Sequence, residues 1–129
     1  MGVQLNHTIV WATDRAASAT FLAGVLDLPV GSPVEPFLPI RLTNDVTLDF
    51  ATLADFGEAS QVAPQHYAFL VDDATFDAAL ARIRGAGVEY WADPMHDRPG
   101  EINHDFGGRG VYFADPDGHN MELQTKAMP

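Results

Sequence analysis

The chain repeats itself, and that repeat limits the folds open to it more than any local preference does. His7 stands seven positions before the helix-capping Asp14, and His66 seven before Asp73. Each histidine lies in a strand, followed by a helix and then further strands. In the first half, Leu5 to Ala12 alternates, with Leu5, His7, Ile9 and Trp11 on one face and Asn6, Thr8 and Val10 on the other. Thr13-Asp14 caps a helix through Leu26, with Ala17, Phe21, Leu22, Val25 and Leu26 as its apolar stripe. Three prolines (Pro29, Pro33 and Pro36) follow, so any strand between Val30 and Pro36 is an edge or a bent one. Phe37–Leu42 and Val46–Ala51 are better strands, joined at Asn44-Asp45.

Leu53 to Pro64 is polar and aperiodic and reads as a connector. The pattern then restarts. His66–Val71 is a strand, and Asp72-Asp73 caps a helix with the stripe Phe76, Ala79, Leu80 and Ile83, ended by Gly85 and Gly87. A short strand, Val88–Trp91, and a loop rich in Pro, Gly and His come before a closing hairpin. In that hairpin Asp115-Pro116-Asp117-Gly118 suits a type I turn. Beyond the turn Asn120, Glu122 and Gln124 face one way, Met121 and Leu123 the other. Each half thus ends in a strand with an acid opposite its apolar face, Asp49 in the first and Glu122 in the second. The fold class expected is α+β, one domain over 1–129 with modules at about 1–55 and 64–125.

The bulk properties exclude several functions. With 18 acids against 7 bases the net charge is −11, and the bases are scattered, so nucleic acid and anionic membranes are not expected partners. No cysteine is present, which rules out thiolate nucleophiles and thiolate metal sites. No apolar run approaches a membrane span, and no secretion signal is visible, so the expected location is cytoplasmic.

Four polar positions are marked by the repeat: His7, Asp49, His66 and Glu122. Two imidazoles and a carboxylate on separate strands can form a facial triad on a divalent metal, leaving positions for substrate. Imidazole and carboxylate suit Fe, Mn, Ni or Zn. Hydrogen-bonded packing histidines and a solvated sheet face account for the same residues, and spacing alone does not separate the two readings.

The segments NHTIVWATD, QHYAFLVDD and VYFADPDGHNMEL resemble the vicinal oxygen chelate superfamily, which holds glyoxalase I, bleomycin-resistance proteins, fosfomycin-resistance enzymes, methylmalonyl-CoA epimerase and extradiol dioxygenases. The resemblance spans nearly the whole chain, and Asp115 to His119 with Glu122 is its most specific part. It implies two βαβββ modules forming a cup-shaped mixed sheet around one divalent transition metal. By that resemblance His7, His66 and Glu122 match the ligands, and Asp49 matches a fourth ligand that some members have as Glu. Asp27 departs from a pattern in which Gly often ends the first helix. Tyr112 matches a position that often hydrogen-bonds substrate, and His104, in a Gly-flanked loop, is a candidate acid or base. These two are the catalytic candidates. His119 is expected to brace the turn and His96 to be exposed. Arg41 and Arg109 are free to face an anionic substrate or to pair with acids.

The function this implies is a metal-dependent enzyme of the glyoxalase or dioxygenase type, in which the metal chelates vicinal oxygens of a small-molecule substrate. Isomerase, lyase and ring-cleaving dioxygenase chemistry all stay open. The glutathione-type fosfomycin-resistance enzymes carry Thr two positions after the first His, where this chain has Ile9. The alternative is a metal-free binding protein of the bleomycin-resistance type, with Trp11, Phe37, Trp91 and Phe106 lining a groove for a cationic antibiotic. A homodimer is expected, as is usual for relatives of this size.

Overall fold

The computed structural model describes residues 2–57 and 61–129. The chain is α+β and divides into two compact units, residues 1–63 and 64–129. The first carries β1 (His7–Ala12), α1 (Arg15–Leu26), β2 (Phe37–Arg41), β3 (Thr47–Thr52) and a 3-10 turn at Leu53–Phe56. Its sheet runs β1-β3-β2, with β1 parallel and β2 antiparallel to β3. The second carries β4 (His66–Leu70), α2 (Asp73–Gly85), β5 (Tyr90–Trp91), β6 (Gly110–Ala114) and β7 (Asn120–Gln124). Its sheet runs β4-β7-β6-β5, with β4 parallel to β7 and the other pairs antiparallel. In both units the acid-bearing strand lies between the His-bearing strand and an antiparallel neighbour.

Alternation settles which face of each sheet is buried. Val10, Ala12, Ile40, Leu48 and Phe50 are buried in the first unit, and Phe69, Val111, Phe113, Met121 and Leu123 in the second. The helix ends follow local chemistry. Asp14 accepts from the amides of Ala16 and Ala17 at 2.9 and 3.3 Å, satisfying donors that have no partner within the helix. In the second helix the capping residue is Asp72, which accepts from Thr75 N at 2.7 Å. Asp73 is the first helical residue, so the seven-residue register overshoots the second cap by one. Asp27 closes α1 at φ 55, ψ 47, the left-handed conformation that short polar side chains tolerate.

One expectation needs correction. The buried side of α1 is Ser18, Ala19, Leu22, Ala23, Val25 and Leu26, whereas Ala17 is exposed and Phe21 half-buried. The helix is apolar around most of its circumference, so periodicity alone leaves its rotation open; small Ser18 and Ala19 occupy the packed side. The stripe expected for α2 is the one buried. Among the described residues the proline-rich segment before β2 forms an isolated bridge, Val34 to Phe37, and the first sheet has three strands. Prolines cannot donate to a ladder. This segment is held by Gly31 N–H donating to Pro39 O at 2.8 Å and by Arg15, which grips Glu35 at 2.9 and 3.0 Å and Pro36 O at 2.8 Å. Of the expected connector from Leu53 to Pro64, residues 58–60 lie outside the described residues.

Candidate functional site

Strand register brings His66 and Glu122 together. His66 pairs with Asn120 and Ala68 with Glu122 on adjacent parallel strands, so the two side chains share a face one diagonal step apart. His66 Nε2 lies 3.2 Å from Glu122 Oε1, with the imidazole half exposed and the carboxylate only 13% exposed. The other ring nitrogen, Nδ1, donates to the Asn120 carbonyl at 2.8 Å. A carbonyl oxygen can only accept, so Nδ1 carries a hydrogen and the neutral ring keeps its lone pair on Nε2, toward the carboxylate.

Tyr112 completes this group. It pairs directly with Glu122 across β6 and β7, and its ring lies 6.0 Å from that of His66, inclined at 26°. Its hydroxyl hydrogen-bonds the Glu122 side chain. Burial, and then the adjoining Glu122 carboxylate, push the Tyr112 hydroxyl up to about 12, so it is a neutral donor throughout the physiological range. Trp91 pairs with Tyr112 in turn, which makes Trp91, Tyr112, Glu122 and Ala68 one row across the sheet.

The first unit repeats the diagonal. His7 pairs with Thr47 and Ile9 with Asp49, so Asp49 stands to His7 as Glu122 stands to His66. His7 Nδ1 is 2.7 Å from the side-chain oxygen of Asn6, which again leaves Nε2 as the lone-pair nitrogen. On the same face Trp11, Ala51 and Phe37 form a row, and Phe56 packs on Trp11 edge-to-face at 4.9 Å and on Phe37 at 5.9 Å. Among the described residues no group of three or more His, Cys, Asp or Glu side chains is gathered so as to hold a metal. His66 with Glu122 is a pair.

The other candidates are placed differently. His104 is exposed at the entrance to a 3-10 turn, Asp105–Gly107. Arg109 is committed to α2: it donates to Asp77 at 2.6 Å and Asp73 at 3.0 Å, and its guanidinium lies 4.6 Å from the centre of the Phe76 ring. Arg41 pairs with Asp45 at 3.3 Å. His119 is fully buried, and its Nδ1 accepts from Gln65 N–H at 2.9 Å while its own amide donates to Asp115 Oδ1 at 2.8 Å. It therefore ties the turn to the residue that leads into β4.

His96 is the correction. Expected on the surface, it is half-buried, stacked on Trp91 with ring centres 3.7 Å apart and planes within 2°, and its Nε2 bonds Asn120 Oδ1 at 2.9 Å. No local pattern marks this residue, because its partners are five and twenty-four positions away and alternate with nothing periodic.

Two modules of this topology, repeated along one chain, define its class. The chain belongs to the Glyoxalase/Bleomycin resistance protein/Dioxygenase superfamily, whose family model matches residues 4–123. Among solved structures, Oxidase ChaP-H2 is 54% identical with a TM-score of 0.91, the match covering 98% of this chain and 96% of that one. Oxidase ChaP-H1 is 55% identical with a TM-score of 0.90, covering 98% of each. Glutathione transferase FosA of Serratia marcescens is 29% identical over 133 aligned positions, covering 96% of this chain and 82% of that protein. These relatives carry the names of enzymes. None of the helices is long and apolar enough to cross a membrane, among the described residues.

Proposed function

We propose that this protein is a metal-dependent vicinal oxygen chelate enzyme with oxidase-type chemistry on a small substrate, using His66 and Glu122 as metal ligands. The observation that carries this is the 3.2 Å approach of His66 Nε2 to Glu122 Oε1. Two lone-pair atoms at that distance call for a cation between them or a proton on the imidazole. Ligands on bonds of about 2.1 Å stand roughly 3.0 Å apart at a right angle and about 3.4 Å apart at the tetrahedral angle, and the observed spacing lies between the two. The donor set, one imidazole and one carboxylate with no thiolate, suits Fe, Mn, Ni or Zn. His7 and, more weakly, Asp49 are proposed as further donors, and the protein as a homodimer. That assignment rests on the repeat register.

When bound, the metal would supply a Lewis acid for two adjacent substrate oxygens. The chain's own residues do the rest. The Asn120 carbonyl holds the His66 ring in the tautomer that presents Nε2. The Tyr112 hydroxyl, being hard to ionise, keeps its one hydrogen and donates it to Glu122, orienting that carboxylate. His104, exposed on its loop, is a proposed acid or base that a loop movement would bring in. Oxidation is favoured over lyase or isomerase chemistry because the two oxidases share more than half of this chain's residues across nearly its full length.

Metal analysis of the purified protein tests this. About one equivalent of transition metal per chain, absent from His66→Ala and Glu122→Ala, is the expected result. A metal-free wild type that cannot be loaded overturns the enzyme reading and leaves the antibiotic-binding one, for which ligand-induced thermal shifts on that same protein are the measure. Light scattering at micromolar concentration tests the homodimer.

A further inference from the structure

The His66 ring sits on an edge strand and is half exposed, so its orientation depends on what Nδ1 bonds to. That partner is the carbonyl of Asn120, the first residue of β7, where a strand frays most easily. Asn120 is restrained beyond its backbone. Its Nδ2 donates to Pro94 O at 3.2 Å, which identifies the other amide atom as oxygen, and that oxygen faces His96 Nε2 at 2.9 Å. Nε2 of His96 must then be the donor. The His96 imidazole is itself fixed flat against Trp91 at 3.7 Å, and its backbone takes φ 62, a left-handed conformation that costs a non-glycine residue roughly 1–2 kcal/mol. The loop below it is closed by Asp93, whose carboxylate accepts from Asp97 N at 2.9 Å and Arg98 N at 2.8 Å.

We propose that His96 is a positioning residue for His66: by holding the Asn120 side chain, with Trp91 behind it, it pins the carbonyl that sets the His66 tautomer. His96 acts on His66 through Asn120. The strained backbone, the stack and the hydrogen bond all serve one contact, and that contact ends on the residue that bonds the ligand ring. Strain held by surrounding structure in this way clusters at functional sites. Partners of metal-bound histidines of this kind typically change metal affinity 10–100-fold when removed.

The inference rests on the proposed metal role of His66, but its first readout does not. In the metal-free full chain at about pH 9, where imidazoles are ordinarily neutral, nitrogen-15 NMR reports which nitrogen of His66 carries the hydrogen. The wild type is expected to show Nδ1–H alone. His96→Ala is expected to show a mixture of tautomers, and His96→Gln, which keeps an N–H near the Nε2 position, to restore the single form. Asn120→Ala keeps the carbonyl and removes the acceptor, so it should reproduce the His96→Ala mixture and serves as the test if that variant does not fold. A single Nδ1–H tautomer in both alanine variants overturns the proposal. Zinc affinity measured on the same proteins should fall about tenfold in His96→Ala and recover in His96→Gln. If instead zinc binding does not depend on His66, the metal reading fails while the tautomer result still decides the role of His96.

Discussion

His66 Nε2 and Glu122 Oε1 stand 3.2 Å apart across the parallel pair β4 and β7, and His7 and Asp49 occupy the same diagonal of β1 and β3. An internal repeat therefore places an imidazole and an acid at matching positions twice. The two diagonals are not equal in reach, because Asp is one methylene shorter than Glu. The prediction is a graded one. Glu122→Gln should remove the bound metal from the protein, whereas Asp49→Asn should leave the stoichiometry near that of the wild type and weaken affinity by no more than about tenfold, the lower end for groups outside the ligand set. Metal content after dialysis, compared across the two variants, checks it. Equal loss in both would make Asp49 a full ligand.

Tyr112 offers a pH test. Its hydroxyl is raised to about 12 by burial and by Glu122. A raised value means the neutral form is favoured by folding, so its contribution is complete below the unfolded tyrosine value, about 10. That contribution is lost as the pH climbs through 12. Tyr112→Phe has no such proton to lose. The stability gap between wild type and variant, measured by urea unfolding, should therefore narrow between about pH 10 and 12 and hold steady from about pH 6 to 9. At neutral pH the variant should also bind metal about tenfold more weakly, since Glu122 loses its donor.

Much of this was legible in the sequence, for identifiable reasons. Alternation in LDF and MEL put Asp49 and Glu122 opposite the apolar faces, and capping chemistry placed both helices to within a residue. The turn at Asp115 reads directly from its residues, and Gly118 N–H does close on Asp115 O at 3.0 Å. What stayed hidden depends on distant partners. Arg109 could not be assigned to Asp73 and Asp77 until the fold laid it against α2, and the His96 stack exists only because the loop after Trp91 doubles back. The rotation of α1 was hidden for a different reason: a helix rich in Ala on several sides carries too little periodicity to fix it.

Asp115 makes a second pH-dependent test. It is buried, its Oδ1 accepts from Asp117 N at 3.0 Å and His119 N at 2.8 Å, and among the described residues Oδ2 has no hydrogen-bond partner. Burial raises its pKa, against the amide of His119, which lowers it. The protonated form is the one folding favours, so the stabilising contribution is complete below the ordinary carboxylate value and is lost as pH rises through the folded one. Asp115→Asn keeps the Oδ1 acceptor without the charge. Its stability relative to wild type should improve as the pH is raised from about 3 to 7. Asp115→Ala removes the acceptor from two amides and should cost about 1–3 kcal/mol at any pH in that window. Denaturant titrations at the two ends of the range check both, and a gap for Asp115→Asn that does not move with pH contradicts the burial argument.

Asp27 is the cheapest place to stabilise the chain. It closes α1 in the left-handed region at φ 55, with its amide donating to Ala23 O. Leu28 N–H also donates to Ala23 O, at 3.0 Å. Both bonds are made by backbone, and Asp27 is exposed, so its side chain contributes little packing. The conformation is one glycine adopts freely and Asp only at a cost. Against that, glycine loses more backbone freedom on folding, which takes back part of the gain. Asp27 also carries a negative charge at the negative end of the helix dipole, an unfavourable placement that glycine removes. Summed, Asp27→Gly should stabilise the protein by about 0.5–1 kcal/mol. Because the substitution touches none of the proposed ligands, metal content should stay that of the wild type. Asp27→Val is the control: a β-branched side chain is the least tolerant of positive φ, so it should destabilise by about 1–2 kcal/mol. Thermal unfolding of the three proteins side by side settles the order, and a glycine variant less stable than wild type would mean that the aspartate side chain makes a contribution the cap geometry does not account for.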